Sequence, residues 1–351
     1  MFTASHNPAG YNGIKLCRPG AKAVGQDTGL AQIREMVRTN EYPERSRLGR
    51  LSREDALDAY VAHLHAQVDV SALRPLKIVV DAGNGMAGLT VPAVFAALPF
   101  EVVPLYFELD GTFPNHPADP IQPENLADLR KAVLEHGAAC GLAFDGDADR
   151  VFFVDEDGEP VSASLLGAMV AEAILERNPN ERIVYSLTCS RVVPETIRRA
   201  GGDPVRTRVG HSFIKEIMAD TGAIFGTEHS GHFYFRDHYG ADCGMLAALH
   251  ALAVISRAGS FSEALERYRV YWHSGEVNSE VADKAAATAR VKAAHADAKI
   301  DETDGLTVEY EDWWFNLRPS NTEPLLRLNV EHRSAEEGPG RLEDLLAIIR
   351  G

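Results

Sequence analysis

Cysteine is scarce in this chain, and its four copies lie far apart: Cys17, Cys140, Cys189 and Cys243, with no C-x-x-C pair. That spacing speaks against a disulfide framework or a cysteine zinc site, and it fits a reducing, cytoplasmic setting. No apolar run approaches the length that crosses a bilayer. The opening residues lack the charged-then-apolar order of a secretory signal. Positive charge is also in short supply: 35 Lys and Arg stand against 51 Asp and Glu, a net charge of −16. No lysine- or arginine-rich stripe breaks that balance, so nucleic acid and anionic membranes are not expected partners. An anionic small substrate is not excluded, because a few local cations decide its binding.

What is present is globular composition, 351 residues of which 45% are hydrophobic, long enough for two or more domains. L-K-I-V-V at 76–80 and F-E-V-V-P-L-Y-F at 100–107 read as strands. Glu124 to His136 carries Leu126, Leu129 and Val133 on one helical face. Short strands at 141–144 and 151–154 flank an acidic loop. The alternation continues with a buried helix at 163–176, a strand at 182–187, a helix at 193–200, a strand-loop-strand at 224–235 and a long apolar helix at 241–257. Alternating strands and helices predict an α/β class. Past residue 269 the pattern becomes α+β: a polar strand and an alanine-rich helix over 277–301, strands over 306–328 and a helix over 342–350. Before residue 66 there are two amphipathic helices but almost no strands.

Four loops carry chemistry. D-G-D-A-D-R at 145–150 alternates Asp145, Asp147 and Asp149, and three carboxylates on one turn repel unless a cation neutralises them. Oxygen-only donors suit Mg²⁺ or Ca²⁺. Glu156 falls where an EF-hand would place its last ligand, but Arg150 stands where that loop needs glycine. An arginine beside metal-binding carboxylates suggests a phosphate bridging the two. G-T-E-H-S-G-H at 226–232 offers Glu228 and Ser230 to sugar hydroxyls and His232 for proton transfer, although loop residues of these types also serve as plain surface. R-P-S-N-T-E-P at 318–324 gathers Arg318, Ser320, Asn321 and Thr322 in one turn, which either grips a phosphate dianion or simply precedes a strand. T-A-S-H-N-P at 3–8 sets Ser5 beside His6, with Lys15 ten residues after the serine. A fifth stretch, G-N-G-M-A-G at 83–88, spells a dinucleotide fingerprint, but no acid follows at the required distance, so its glycines are expected to serve a tight strand-to-helix turn.

Taken in order, these four loops resemble the signature of the α-D-phosphohexomutases. The likeness extends through V-V-D-A-G-N-G, D-G-T-F-P-N-H-P, V-G-H-S-F-I-K and S-G-H-F-Y-F-R-D. Within that family the phosphomannomutase/phosphoglucomutase branch is nearest, on Asn321. The resemblance implies a phosphoserine at Ser5, bound with Asp145, Asp147 and Asp149 to Mg²⁺, and a hexose 1,6-bisphosphate that turns over in a central cleft. It implies Ser5, His6, Lys15, Arg150 and His232 as catalytic residues. Gly210, His211, Glu228, Ser230, Arg318, Ser320, Asn321 and Thr322 would bind substrate. Hexose phosphates of mannose or glucose are the implied partners, and the protein is expected to be a monomer or homodimer.

Three departures stand out. Thr227 replaces the family's glycine, Thr188 replaces a substrate-facing lysine, and the long stretch that usually precedes the serine loop is not in the sequence. The expected layout is a truncated first domain at 1–65 with the serine loop, α/β domains with mixed sheets at 66–160 and 161–269, and an α+β domain at 270–351. A gene model cut short, or a shortened protein acting as a sugar-phosphate- or Ca²⁺-binding remnant, would each account for the missing stretch. Residues 1–65 are expected to be poorly held and activity to be low.

Overall fold

The computed structural model describes residues 1–44, 47, 49–320 and 325–351. Three five-stranded sheets follow one another along the chain. The first is centred on Leu76–Asp81, which pairs in parallel with Phe100–Leu105 and Cys140–Phe144. Val151–Val154 and Pro160–Val161 extend it antiparallel. Strands covered on both faces read as unbroken apolar runs, and C-G-L-A-F and V-F-F-V are buried throughout. Side chains alternate between the faces. Val79, Ala143 and Val154 pack on the helix Ala127–His136, while Ile78, Val80, Leu142 and Phe153 turn to the opposite core.

The second sheet is centred on Arg182–Ser186, with Phe225–Thr227 and Asp203–Thr207 parallel to it and Phe233–Phe235 and Ala241–Asp242 antiparallel beyond. Helices Ala163–Arg177 and Gly244–Ile255 are apolar almost all round, the mark of helices enclosed on every side. They lie within one continuous core that joins the inner faces of the first and second sheets. Gly244 makes this contact possible, since a Cβ there would come within 2.7 Å of the Arg150 carbonyl carbon.

The third sheet is antiparallel throughout, in the order Trp272–Glu280, Leu325–His332, Trp313–Pro319, Leu306–Glu309, Lys299–Asp301. It encloses its own core with helices Lys284–Ala294 and Gly338–Arg350. Polar links tie it to the second unit: Arg191 donates to the Tyr310 and Glu311 carbonyls at 2.6 and 2.8 Å, and Arg206 pairs with Glu309 at 2.7 Å.

The N-terminal segment is different. It holds an isolated bridge between Phe2 and Ile14, a pair of two-residue strands and the helix Ala31–Thr39. No described residue before Leu64 is buried, and Phe2 and Leu51 are 86% and 88% exposed.

Three expectations need correction. The helix expected over 241–257 opens instead as the edge strand Ala241–Asp242 and turns helical only at Gly244. The strand expected from 277 begins at Trp272. Asp203–Thr207, His211–Thr221 and Lys299–Asp301 are elements beyond those expected from the sequence. The first of these contains Pro204, which a strand tolerates only where its missing N–H faces no partner. It lies at the sheet's edge.

Candidate active site

The acidic turn lies between the buried strands Cys140–Phe144 and Val151–Val154, so two layers of core fix its ends. Asp145 and Arg150 are both buried. The guanidinium donates from Nε to Asp145 Oδ2 at 2.9 Å, and the Arg150 amide donates to Oδ1 at 3.2 Å. Burial pushes the Asp145 carboxyl up to about 6, against the pull of Arg150 and with the push of Asp149 and Asp147. Asp147 also feels burial, but hydrogen bonds from Lys15 and Thr3 hold it below the usual carboxylate range. Arg150 reaches Asp119 as well, at 3.4 Å. Met86, in the glycine-rich 83–88 turn, donates its N–H to the Gly146 carbonyl at 3.0 Å. That turn therefore props the acidic loop.

The serine loop arrives from the other side. Ser5 Oγ donates to Asp145 Oδ2 at 3.0 Å and lies 3.2 Å from His6 Nδ1. Thr3 Oγ1 donates to Asp147 at 2.9 Å and accepts the Ser5 N–H at 2.8 Å. Lys15 Nζ bridges Asp147 and Asp149 at 2.9 and 2.5 Å. Against burial, those two carboxylates push the Lys15 ammonium well up. Burial and Arg150 lower His6. Ser5 itself sits at φ 54°, a conformation that costs a non-glycine residue energy and recurs where a side chain is aimed. Gly146 admits this approach, because a Cβ there would meet the Ser5 carbonyl oxygen at 2.4 Å.

The acidic turn has the donors of a hard-cation site. Asp145, Asp147 and Asp149 each offer an oxygen within 4.8 Å of the others. The Oδ1 atoms of Asp147 and Asp149 are buried with no hydrogen-bond partner. Glu156 does not join them. It turns away to the N–H and hydroxyl of Ser262 at 3.1 and 2.6 Å, which removes the EF-hand alternative.

The 226–232 loop meets the acidic turn through an antiparallel bridge between Arg150 and His232. His232 Nδ1 lies 3.8 Å from Asp149 Oδ1 and 3.0 Å from Asp242 Oδ2. His211 Nδ1 is 3.2 Å from the same Asp242 oxygen. Glu228 is buried, accepting from the Gly210 N–H at 3.1 Å and from the Tyr234 hydroxyl at 2.6 Å. Ser230 is half-buried on the same loop. Thr227 and Thr188 are both buried, and Thr188 lies 3.2 Å from the Ser186 hydroxyl.

Ser5, His6, Lys15, the three aspartates, Arg150, His232 and His211 thus gather around one turn, and Gly210 and Glu228 pair beside it. Arg318 and Ser320 make hydrogen bonds within the third sheet. Arg318 bonds Glu276 at 3.1 Å, and Ser320 accepts from Arg327 at 3.5 Å. Asn321 and Thr322 lie outside the described residues. Thr3, Asp119, Tyr234 and Asp242 belong to the site but were not singled out from sequence. Only Thr3 and Tyr234 fall inside a quoted motif.

Family models described as phosphoglucomutase/phosphomannomutase match four stretches: domain I at 1–44, domain II at 58–158, domain III at 163–271 and the C-terminal domain at 276–347. The chain is 44% identical over 342 residues to a phosphomannomutase of Salmonella montevideo, covering 94% of this chain and 75% of that protein. The chain belongs to the phosphoglucomutase/phosphomannomutase family. A Xanthomonas campestris protein named phosphohexose mutases is 43% identical over 356 residues, covering 100% of this chain and 80% of its own length. A solved phosphoglucomutase/phosphomannomutase family structure from Burkholderia thailandensis superposes with a TM-score of 0.87 at 33% identity, over 99% of this chain and 75% of that one. The protein is accordingly a phosphohexomutase, an enzyme of the isomerase class.

Proposed function

We propose that this phosphohexomutase interconverts hexose 1-phosphate and hexose 6-phosphate, of mannose or glucose, through a phosphoserine at Ser5 and a hexose 1,6-bisphosphate. The observation that carries the reading is the seating of Ser5 Oγ 3.0 Å from the buried Asp145, which Arg150 holds, beside Asp147 and Asp149 bridged by Lys15. Asp145, Asp147, Asp149 and the phosphorylated Ser5 would hold Mg²⁺, which neutralises charge on a transferring phosphoryl group. All the donors are oxygen, and two of them lack any other partner.

In the forward half, a sugar hydroxyl oxygen attacks the phosphorus on Ser5. The P–Oγ bond breaks, the new P–O bond forms on the sugar, and the hydroxyl proton leaves to a base. Among the candidates for proton transfer, His232 can accept. Lys15 is the other candidate, and the charges of Asp149 and Asp147 that hold its proton make it the weaker acid. Arg150 flanks the serine and balances phosphoryl charge, while His6, whose charged form burial and Arg150 disfavour, offers the serine oxygen a hydrogen-bond partner. In the return half, Ser5 Oγ attacks the other phosphate: the new P–Oγ bond forms, the P–O bond to the sugar breaks, the serine proton leaves to a base and the freed sugar oxygen takes up a proton. Glu228 and Ser230 read the sugar 3- and 4-hydroxyls, with Gly210 and His211 beside them, so sugars that differ only at C2 are both accepted. Arg318, Ser320, Asn321 and Thr322 hold the phosphate that is not reacting. The four unpaired cysteines suit a cytoplasmic setting.

The test is a coupled assay of mannose 1-phosphate to mannose 6-phosphate, primed with a trace of hexose 1,6-bisphosphate. Ser5→Ala should take up no phosphate by intact-protein mass and lose at least about 10³-fold in turnover. Unchanged phosphate uptake in that variant would overturn the assignment.

A further inference from the structure

Beside the acidic turn lies a second cluster with different chemistry. His211 opens the helix His211–Thr221, His232 ends the 226–232 loop, and Asp242 sits on the edge strand Ala241–Asp242. One donor atom from each falls within 4.8 Å of the others. The His232 and Asp242 side chains are 10% and 7% exposed. Their Nδ1 and Oδ2 atoms are 3.0 Å apart, yet neither makes a hydrogen bond of acceptable geometry, so two buried polar atoms face each other without being satisfied. His211 Nδ1 adds a third donor 3.2 Å from the same oxygen. A cation about 2.1 Å from such atoms sees neighbours 3.0–3.2 Å apart at angles of roughly 90–100°, within the range of first-row metals. Lys215 holds the other Asp242 oxygen at 2.8 Å, which leaves Oδ2 for the cluster.

We propose that His211 Nδ1, His232 Nδ1 and Asp242 Oδ2 form a second divalent-cation site, selective for zinc-class ions over Mg²⁺, which withdraws His232 from proton transfer when filled. Two imidazoles and one carboxylate are the donors of zinc and cobalt, whereas Mg²⁺ requires oxygen. The two sites therefore sort ions by donor type. They also lie side by side, with Asp149 offering Oδ2 towards Lys15 and Oδ1 towards His232. Imidazole must be unprotonated to ligate, so uptake releases protons and weakens as pH falls. The withdrawal of His232 rests on the proton-transfer role proposed above, whereas the binding does not.

Cobalt(II) is the probe, added to the full chain in millimolar Mg²⁺ and followed by its visible ligand-field absorption and by metal content after dialysis. One Co²⁺ per chain should bind without displacement by Mg²⁺. His211→Gln, at a side chain 45% exposed and therefore safe for folding, should weaken binding at least about tenfold. Asp147→Asn should retain it. Displacement of Co²⁺ one for one by Mg²⁺, or unaltered binding in His211→Gln, overturns the site. Bound Co²⁺ with undiminished turnover overturns the withdrawal of His232 and leaves the mutase reading standing.

Discussion

Two loops meet at the candidate active site, and they are held by opposite means. The acidic turn is strung between fully buried strands. The serine loop belongs to a segment in which no described residue before Leu64 is buried, and it exposes Phe2, Tyr11 and Ile14. Its attachment is a handful of polar contacts: Ser5 to Asp145, Thr3 to Asp147 and Lys15 to Asp147 and Asp149. The difference teaches that one partner is placed by burial and the other by charge. Whatever alters the charge of the acidic turn should move the serine loop first and leave the turn in place.

The sharpest way to break that comparison is at Arg150. Arg150→Met strands a buried carboxylate, so urea unfolding should show a loss of about 3–5 kcal/mol at pH 8. The loss should shrink at pH 5, because Asp145, pushed up to about 6 even with Arg150 present, then takes a proton and no longer needs a partner. An equal loss at both pH values would refute the charge argument. Next in size is the pH dependence of Mg²⁺ affinity. Asp145 must be ionised to ligate, so calorimetric affinity should fall by up to about tenfold per pH unit below about 6. Affinity that is flat between pH 7.5 and 5 would remove Asp145 from the ligand set. Thr3→Ala deletes one charge-assisted hydrogen bond and should speed limited proteolysis within residues 1–56 several-fold, with cleavage beyond Leu64 unchanged. The smallest effect is expected at Lys15. It pairs with the same aspartates from a side chain 43% exposed, so Lys15→Met should change stability by less than about 1 kcal/mol.

The same contrast explains what could be read from sequence. The buried sheets were legible because L-K-I-V-V, F-E-V-V and V-F-F-V announce themselves as apolar runs. The acidic turn was legible because three alternating carboxylates demand a partner. Asp203–Thr207 was not, since Pro204 is acceptable only through an edge position that tertiary pairing decides. Asp242 was invisible for a similar reason. A single aspartate ten residues past His232 looks like any surface acid until a two-residue edge strand brings it against two imidazoles. The turn at 318–324 divides in two: Arg318 and Ser320 are placed, while Asn321 and Thr322 fall outside the described residues.

The contact of Gly244 with the Arg150 backbone has a consequence for redesign. Because the helix it opens belongs to the core shared by the first and second sheets, the acidic turn and the 226–232 loop are parts of one casting. A change buried along Gly244–Ile255 would be felt in both loops at once. The C-terminal unit, where Arg318 and Ser320 sit, has a core of its own, so substitutions there should leave both loops in place.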